Sequence, residues 1–392
     1  MTSVNSISIR LKKALAVLVM VVLVTACREK FEADLPSPAT GYLIVEGIIN
    51  VGDEAVTMIK LSRTTPLDSR AVTPENNAQV FIEDEQNHQY ELALSDSGQY
   101  YSQPLDLPVN VRYRLHVIAD AKEYYSGFTD TKIAPEIDNL YWEPKTDGIE
   151  IQLDTDDPLG NSRYYYWNFT ETWEYNVPYF AVLKYIQASN TVDYRGAGDP
   201  EIFKCYHTLE SSSIVIASTA KLSQDLVFAK PITFVSATNT SKLVNRYSII
   251  VRQSVLSKDA YEYFERMKKN TEQTGSIFDA QPSQLRGNIK CKTDSSEIVV
   301  GYISTSSITE KRIFVSRVEL PAFNHMNPFS ACMLDTVKLH PDSLREAFYY
   351  GSNLPIDYWT NDAGIRNGVV GSASFCVDCR EQGGSNVRPS FW

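Results

Sequence analysis

The chain lacks an apolar run of the roughly 20 residues needed to cross a hydrocarbon core. The stretch Ala14–Val24 stops at eleven. Positive charge is in deficit, with 37 Lys plus Arg against 48 Asp plus Glu and a net charge of −11. Nucleic-acid affinity rests on clustered Lys and Arg, and no basic stripe stands out, so nucleic acid is excluded as a partner. There is no His-Glu-x-x-His, no Gly-x-Ser-x-Gly elbow and no Gly-rich phosphate loop, and Gly196-Ala197-Gly198 lacks the rest of a dinucleotide fingerprint. His88, His116, His207, His325 and His340 are scattered, and neither repeats nor low-complexity tracts occur. A carboxylate pair for glycoside hydrolysis needs proximity in space rather than in sequence, and among 48 acids no two single themselves out. The expectation is a non-catalytic protein with no cofactor and no metal.

What is present is ordinary globular material: 392 residues, 43% hydrophobic, 22% charged and 11% aromatic. At roughly 150 residues per domain, that length suits two domains. The N-terminus is special. Arg10, Lys12 and Lys13 precede Ala14–Val24, as a basic n-region precedes the apolar core of a secretory signal. The run ends in Leu23-Val24-Thr25-Ala26-Cys27, which resembles a bacterial lipobox. That resemblance implies cleavage after residue 26 and acylation of Cys27, and several acyl chains anchor stably where one does not. Removing residues 1–26 takes away Arg10, Lys12 and Lys13 and no acid, so the net charge falls from −11 to −14. Residues 27–40, with Pro36 and Pro38, read as an extended tether.

From Tyr42 the pattern is β. Short β-branched or alternating runs recur at Leu43–Ile49, Val56–Leu61, Gln79–Glu83, Gln89–Leu94, Gln99–Tyr101, Val111–Val117 and Glu123–Phe128. In Val111–Val117 the odd positions are apolar and inward, with Arg112, Arg114 and His116 outward. This spacing predicts an immunoglobulin-like or prealbumin-like β-sandwich over 41–134. Ala134-Pro135-Glu136-Ile137-Asp138 reads as a boundary, followed by a larger β-rich domain over 135–392 with one or two short helices. One helix starts after Ser257, a cap, with Ala260, Tyr261, Phe264 and Met267 on one face and Lys268 and Lys269 at its end. A second spans Pro341–Phe348, and the remainder to Trp392, rich in Gly, Asn and Asp, reads as irregular.

Several of these features together resemble the DUF4249 family of Bacteroidetes cell-envelope lipoproteins. They are the lipobox and tether, Tyr42–Gly47, Tyr113–Val117, Ala134–Asp138, Tyr247–Ile249 and Ala260–Tyr263. Phe278–Ser283 leading to Gly287–Ile289, Gly301-Tyr302, and the ending Cys376-Val377-Asp378-Cys379-Arg380 with Gly383–Asn386 and Pro389–Trp392 complete the set. The resemblance implies an outer-membrane or cell-envelope location, periplasmic or surface-facing, often beside a TonB-dependent receptor. It carries over no site residues.

With Cys27 an anchor, Cys205, Cys291, Cys332, Cys376 and Cys379 are disulfide candidates in an oxidising compartment. Two bridges would leave one thiol over, and the expectation is that Cys332 reaches the C-terminal pair. Cys376-Val377-Asp378-Cys379 has no thioredoxin-like setting for redox work and no second ligand pair for structural zinc. Asp154, Asp156 and Asp157 carry alternating oxygens, but the Gly and Glu of a calcium loop are missing, which favours a solvated turn. Residues 164–180 hold nine aromatics: Tyr164, Tyr165, Tyr166, Trp167, Phe169, Trp173, Tyr175, Tyr179 and Phe180. Tyr165, Trp167, Trp173 and Tyr175 are candidates for a ring platform binding sugar or peptide, although in a strand every second ring must turn inward. The leading functional expectation is a membrane-anchored accessory of TonB-dependent uptake; the alternative is a surface glycan- or peptide-binding lipoprotein.

Overall fold

Alternation of apolar and polar residues organises two β-rich cores. The computed structural model describes residues 41–65, 72–238, 240–272, 287–323 and 329–392. The signal segment 1–26, Cys27 and its tether, Phe278–Ser283 and His325 lie outside the described residues. The protein is mainly β with a few short helices.

The first core is wrapped by one hydrogen-bonded path of strands. In spatial order the path includes Leu43–Asn50, Met58–Arg63, Gln99–Ser102, Gln89–Asp96, Gln79–Asp84, Tyr113–Ala119 and Lys122–Ser126. Leu43, Val45, Ile59, Leu61, Val80, Ile82, Leu115, Val117 and Tyr124 point into a single cluster, so the sheet curls round its own apolar face. The curl almost closes. Thr131–Lys132 begins the path beside Ser304–Ser306, and Tyr113 bridges back to Thr129.

The expected cut at residue 135 is not clean. Ile289–Cys291 adds to Lys122–Ser126, while Val300–Gly301 and Ser304–Ser306 run parallel to Leu43–Asn50. The first core therefore borrows residues 289–306, and Ile289, Cys291, Val299 and Ile303 are part of its buried cluster. Gly301 permits this approach. Its φ is +144°, and a Cβ there would collide with the Val45 carbonyl oxygen. A linear reading of composition does not reveal that a late segment returns to an early sheet.

The second core lies between two sheets. One is ordered Asn139–Lys145, Gly148–Asp156, Leu226–Ser236; the other is Lys204–Glu210, Tyr164–Asn176, Arg246–Val255, Thr309–Ser316, with Val215–Ser218 also on Tyr164–Asn176. Ile149, Ile151, Leu153, Val227 and Val235 meet Trp167, Phe169, Tyr247, Ile249 and Val251 in one cluster. Helix α1 (Lys258–Glu272) begins as expected, with the Ser257 hydroxyl accepting from the Ala260 N–H at 3.2 Å. Its Tyr261 and Phe264 rings contact Tyr164 and Tyr166, and Tyr263 turns to Tyr302.

Helix α2 (Pro341–Phe348) also forms where the sequence placed it, burying Leu344 and Phe348. The stretch after it is not irregular. Asn353–Thr360 and Arg366–Ala373 pair, with Asp335–Lys338 on the other side of Arg366–Ala373. Gly371 sits where a Cβ would press on the Phe348 ring, so a glycine that reads as loop is a packing requirement in a strand. Among the described residues no helix is long and apolar enough to cross a membrane, which says nothing of strands.

Candidate functional site

The strand Tyr164–Asn176 carries the aromatic-rich segment, and its period of two decides what each ring does. The odd positions face the core. Tyr165 and Trp167 are fully buried, Tyr175 is 3% exposed and Trp173 8%. Each is tied by its polar tip: Tyr165 donates to Asp225 Oδ1 at 3.0 Å, Trp167 to Gln253 Oε1 at 2.7 Å, Trp173 to Ser241 Oγ at 3.2 Å and Tyr175 to the Cys379 carbonyl at 2.7 Å. The even rings Tyr164 and Tyr166 lie against α1. The four candidate platform residues are thus core members rather than a binding surface, because the strand is covered on both faces.

Several buried polar groups here are engaged, although Asp225 Oδ2 and His207 Nδ1 have no hydrogen-bond partner. Gln253 passes the Trp167 hydrogen bond on, donating to the Pro135 carbonyl and to Thr155 Oγ1. Glu171, 5% exposed, accepts from the Tyr247 hydroxyl at 2.8 Å and from Lys242 Nζ at 2.6 Å. Burial, then the Glu171 charge, raise the Tyr247 hydroxyl well above its ordinary pKa, so it remains a donor. Lys242 also lies over the Trp173 ring, on which its cross-strand partner His207 stacks at 4.6 Å. Sequence pattern did not single out this cluster, because Lys242 comes from a loop 71 residues from Glu171.

A second cluster lies on the outer side of the first sheet. His116, expected outward, does leave the core face, but it is 5% exposed because Tyr125 stacks on it at 4.2 Å. Its Nδ1 is 2.8 Å from Glu83 Oε1, and Arg114 donates to Glu83 Oε2 at 2.7 Å. Burial pushes the Glu83 pKa up, but donation from Gln89 and Arg114, with the charges of Arg114 and His116, brings it below the usual carboxylate value.

Of the cysteines, Cys205 is bonded to Cys379 and Cys332 to Cys376, while Cys291 is a buried free thiol. Cys332 does reach the C-terminal pair. Cys291 is not a crosslink; it sits in the first core, on Ile289–Cys291, apart from the other four. The dithiol spacing of Cys376 and Cys379 serves two different partners. Beyond it, Ser385 pairs with Tyr206, and Trp392 lies edge-on to Tyr206 and Phe314 with Arg246 over its ring.

Asp154 and Asp156 belong to the strand Gly148–Asp156 rather than to a turn, and Asp154 and Asp157 are engaged by backbone. Asp157 accepts from the N–H groups of Leu159, Asn161 and Ser162, and Asp154 from that of Ala229. Among the described residues no group of three His, Cys, Asp or Glu side chains is placed to hold a metal ion. A shallow depression lies at the C-terminal end of α2, between Asp342, Arg345, Glu346, Tyr349 and Tyr350. The strand Leu226–Ser236 was not anticipated from sequence; its Pro231 is tolerated because the strand is at a sheet edge.

Two solved structures are similar over part of the chain. A two fibronectin type-III domain segment from chicken tenascin is 8% identical, covering 56% of this chain and 92% of that one, with a TM-score of 0.16. The BSP domain of a biofilm associated protein is 7% identical, covering 71% of this chain and 59% of that one, with a TM-score of 0.11. Scores this low carry no argument about fold or function. No curated protein matches the chain. The family model described as a domain of unknown function, DUF4249, matches residues 28–312, and the chain therefore belongs to the DUF4249 family.

Proposed function

We propose that this protein is a lipid-anchored component of the bacterial cell envelope with a non-catalytic binding or assembly role, serving as an accessory to a TonB-dependent outer-membrane uptake receptor. The observation that carries the anchoring is Leu23-Val24-Thr25-Ala26-Cys27 behind Arg10, Lys12, Lys13 and an eleven-residue apolar run. Two disulfides that close long loops support an oxidising compartment. The buried Glu171 carboxylate is held between the Tyr247 hydroxyl and Lys242, which supports a scaffold over a catalyst, since a working acid or base must face a substrate.

Intact-mass analysis of protein extracted from membranes tests the anchor. The expected mature chain begins at acylated Cys27, and Cys27→Ser leaves the protein unacylated and releases it from the membrane fraction. A mature chain starting elsewhere with an unmodified thiol would overturn the reading. Affinity purification from detergent-solubilised membranes tests the partner: recovery of a receptor barrel supports the accessory role, and recovery of no envelope partner removes it. The reading as a glycan- or peptide-binding surface has lost the observation behind it, because Tyr165, Trp167, Trp173 and Tyr175 are buried.

A further inference from the structure

The segment Val387–Trp392 lies across the outer face of the second core's larger sheet, and it is held there differently from the residues before it. Up to Asn386 the chain is fastened by bonds. Cys379 is joined to Cys205, the Tyr206 and Ser385 N–H groups donate to each other's carbonyls at 2.7 and 2.8 Å, and Asn386 Nδ2 donates to the Glu201 carbonyl at 3.0 Å. Beyond Asn386, hydrogen bonds among the described residues stay within the segment or its root. The Val387 N–H donates to Ser385 Oγ, the Trp392 N–H to the Pro389 carbonyl and Arg388 to the Trp392 main-chain oxygen.

What holds Val387–Trp392 to the sheet is rings and guanidiniums. Side chains alternate along Arg246–Val255, so with Tyr247, Ile249 and Val251 in the core, Arg246 and Ser248 take the outer face. The Trp392 ring is 5.5 Å from Tyr206 on Lys204–Glu210 and 5.7 Å from Phe314 on Thr309–Ser316, with two strands between those two. It therefore spans the middle of the sheet, where Ser248 and its cross-strand neighbour Thr172 are 0% and 1% exposed. The Arg246 guanidinium is 4.4 Å from the Phe314 ring and 5.3 Å from that of Trp392, and Arg312 lies on the Phe391 ring at 3.6 Å.

The charge of this face does not match its occupant. Among the described residues neither Arg246 nor Arg312 makes an ion pair, and the acids beside them are engaged elsewhere. Glu174, opposite Arg246, pairs with Lys204 at 3.2 Å, Glu310 pairs with Arg252 at 3.4 Å, and Glu319 accepts the Ser316 N–H at 2.6 Å. Burial, then the charge of Arg252, lower the Arg312 pKa, which marks a local surplus of positive charge. The segment adds a third guanidinium, Arg388, near the Tyr206 hydroxyl. Its two rings suit the face and its charge does not, so a rival with the rings and a carboxylate would fit better.

We infer that Val387–Trp392 is a displaceable strap occupying, in cis, a recognition site for a partner segment that carries two aromatic residues beside a carboxylate. The site is separate from Tyr165, Trp167, Trp173 and Tyr175, which face the core, and it does not depend on the lipid anchor.

The test titrates a fluorescein-labelled, amidated peptide copying residues 386–392 into the full-length purified chain, read by fluorescence anisotropy. The wild type is compared with Phe391→Ala plus Trp392→Ala, which removes the ring contacts and leaves the disulfides and the Ser385 bridge in place. Non-reducing intact mass and circular dichroism check that variant. The peptide should bind it about tenfold more tightly than the wild type, and a peptide carrying Arg388→Asp about tenfold more tightly again, a gain that shrinks with salt. Adding Arg246→Ala and Arg312→Ala should remove the advantage of the acidic peptide. Equal affinity for the wild type and the ring-depleted variant would overturn the strap. No preference for the acidic peptide would overturn the partner's charge, and no binding to any form would overturn the recognition site. Hydrogen exchange on the unaltered chain needs no variant: the amides of 387–392 should exchange about 100-fold faster than those of 202–210. Equal protection of the two segments would make Val387–Trp392 a fixed part of the fold and overturn the strap.

Discussion

Cys205 and Cys379 are covalently joined across 174 residues, although Cys379 stands three positions from Cys376, which is bonded to Cys332 only 44 residues away. The longer bridge fastens the C-terminal segment to the strand Lys204–Glu210, where Ser385 then pairs with Tyr206.

Loop length ranks the two bridges. Closing a longer loop removes more entropy from the unfolded chain, so the chain-entropy estimate favours Cys205–Cys379 over Cys332–Cys376 by about 1 kcal/mol. Cys379→Ser should therefore lower the denaturant midpoint more than Cys332→Ser, with each single loss costing about 2–5 kcal/mol. Chemical denaturation of both variants under non-reducing conditions checks the order, and equal midpoints would contradict it.

Trp167 and Gln253 form a fully buried pair whose polar atoms depend on each other. Trp167→Phe keeps an aromatic ring but deprives Gln253 Oε1 of its donor. The expected cost is about 1–3 kcal/mol for the orphaned acceptor, in addition to any loss of packing. Adding Gln253→Leu to Trp167→Phe should not recover everything, because the Pro135 carbonyl and Thr155 hydroxyl then each lose one of two partners, keeping only Thr309 and the Glu136 carbonyl. Equilibrium unfolding of the two single variants and the double gives the coupling, and strict additivity would exclude the network.

What was legible in the sequence follows from which signals are local. Period-two alternation identified Leu43–Ile49 and Val111–Val117, and a cap with one apolar face identified α1, because both depend on neighbours a few residues away. The return of Ile289–Cys291 to Lys122–Ser126 depends on a partner more than 160 residues distant and left no local mark. Arg366–Ala373 was missed because Gly368 and Gly371, which leave room for the Val337 carbonyl and the Phe348 ring, look like loop residues out of context. The aromatic segment pointed in the right direction to its strand but not to its role. Alternation required half its rings inside; α1, a separate element, covered the other face.

Glu83 makes stability depend on pH in a predictable sense. Its folded pKa lies below the ordinary 4.5, so the folded state binds fewer protons there than the unfolded chain. The stabilisation is present above 4.5 and is lost as pH falls through the folded value. Glu83→Gln keeps the shape but gives up the charged bond to Arg114, at a cost of about 1.5–3 kcal/mol near pH 7. The variant should lose less stability than the wild type as pH falls from neutrality through 4.5 and below. Unfolding free energies across that range test this, and parallel curves would refute the assignment.

Ala229 sits at φ +48° with its N–H on Asp154, and the two ways of changing it should differ in sign and size. Glycine relieves the left-handed strain of about 1–2 kcal/mol but adds about 0.5–1 kcal/mol of freedom to the unfolded chain, so Ala229→Gly should be neutral or slightly stabilising. Valine carries a branched Cβ into a conformation that already crowds the carbonyl, so Ala229→Val should cost more than Ala229→Gly by about 2 kcal/mol or more. The strand pairing shifts register opposite Ala229, between Leu153 and Thr155; Asp154→Ala removes the acceptor that holds this bulge, and the free energy difference between Gly and Ala at 229 should shrink in that background. Thermal and chemical unfolding of the wild type, Ala229→Gly, Ala229→Val, Asp154→Ala and Asp154→Ala with Ala229→Gly decides it: if Ala229→Val is as stable as Ala229→Gly, residue 229 is not held left-handed.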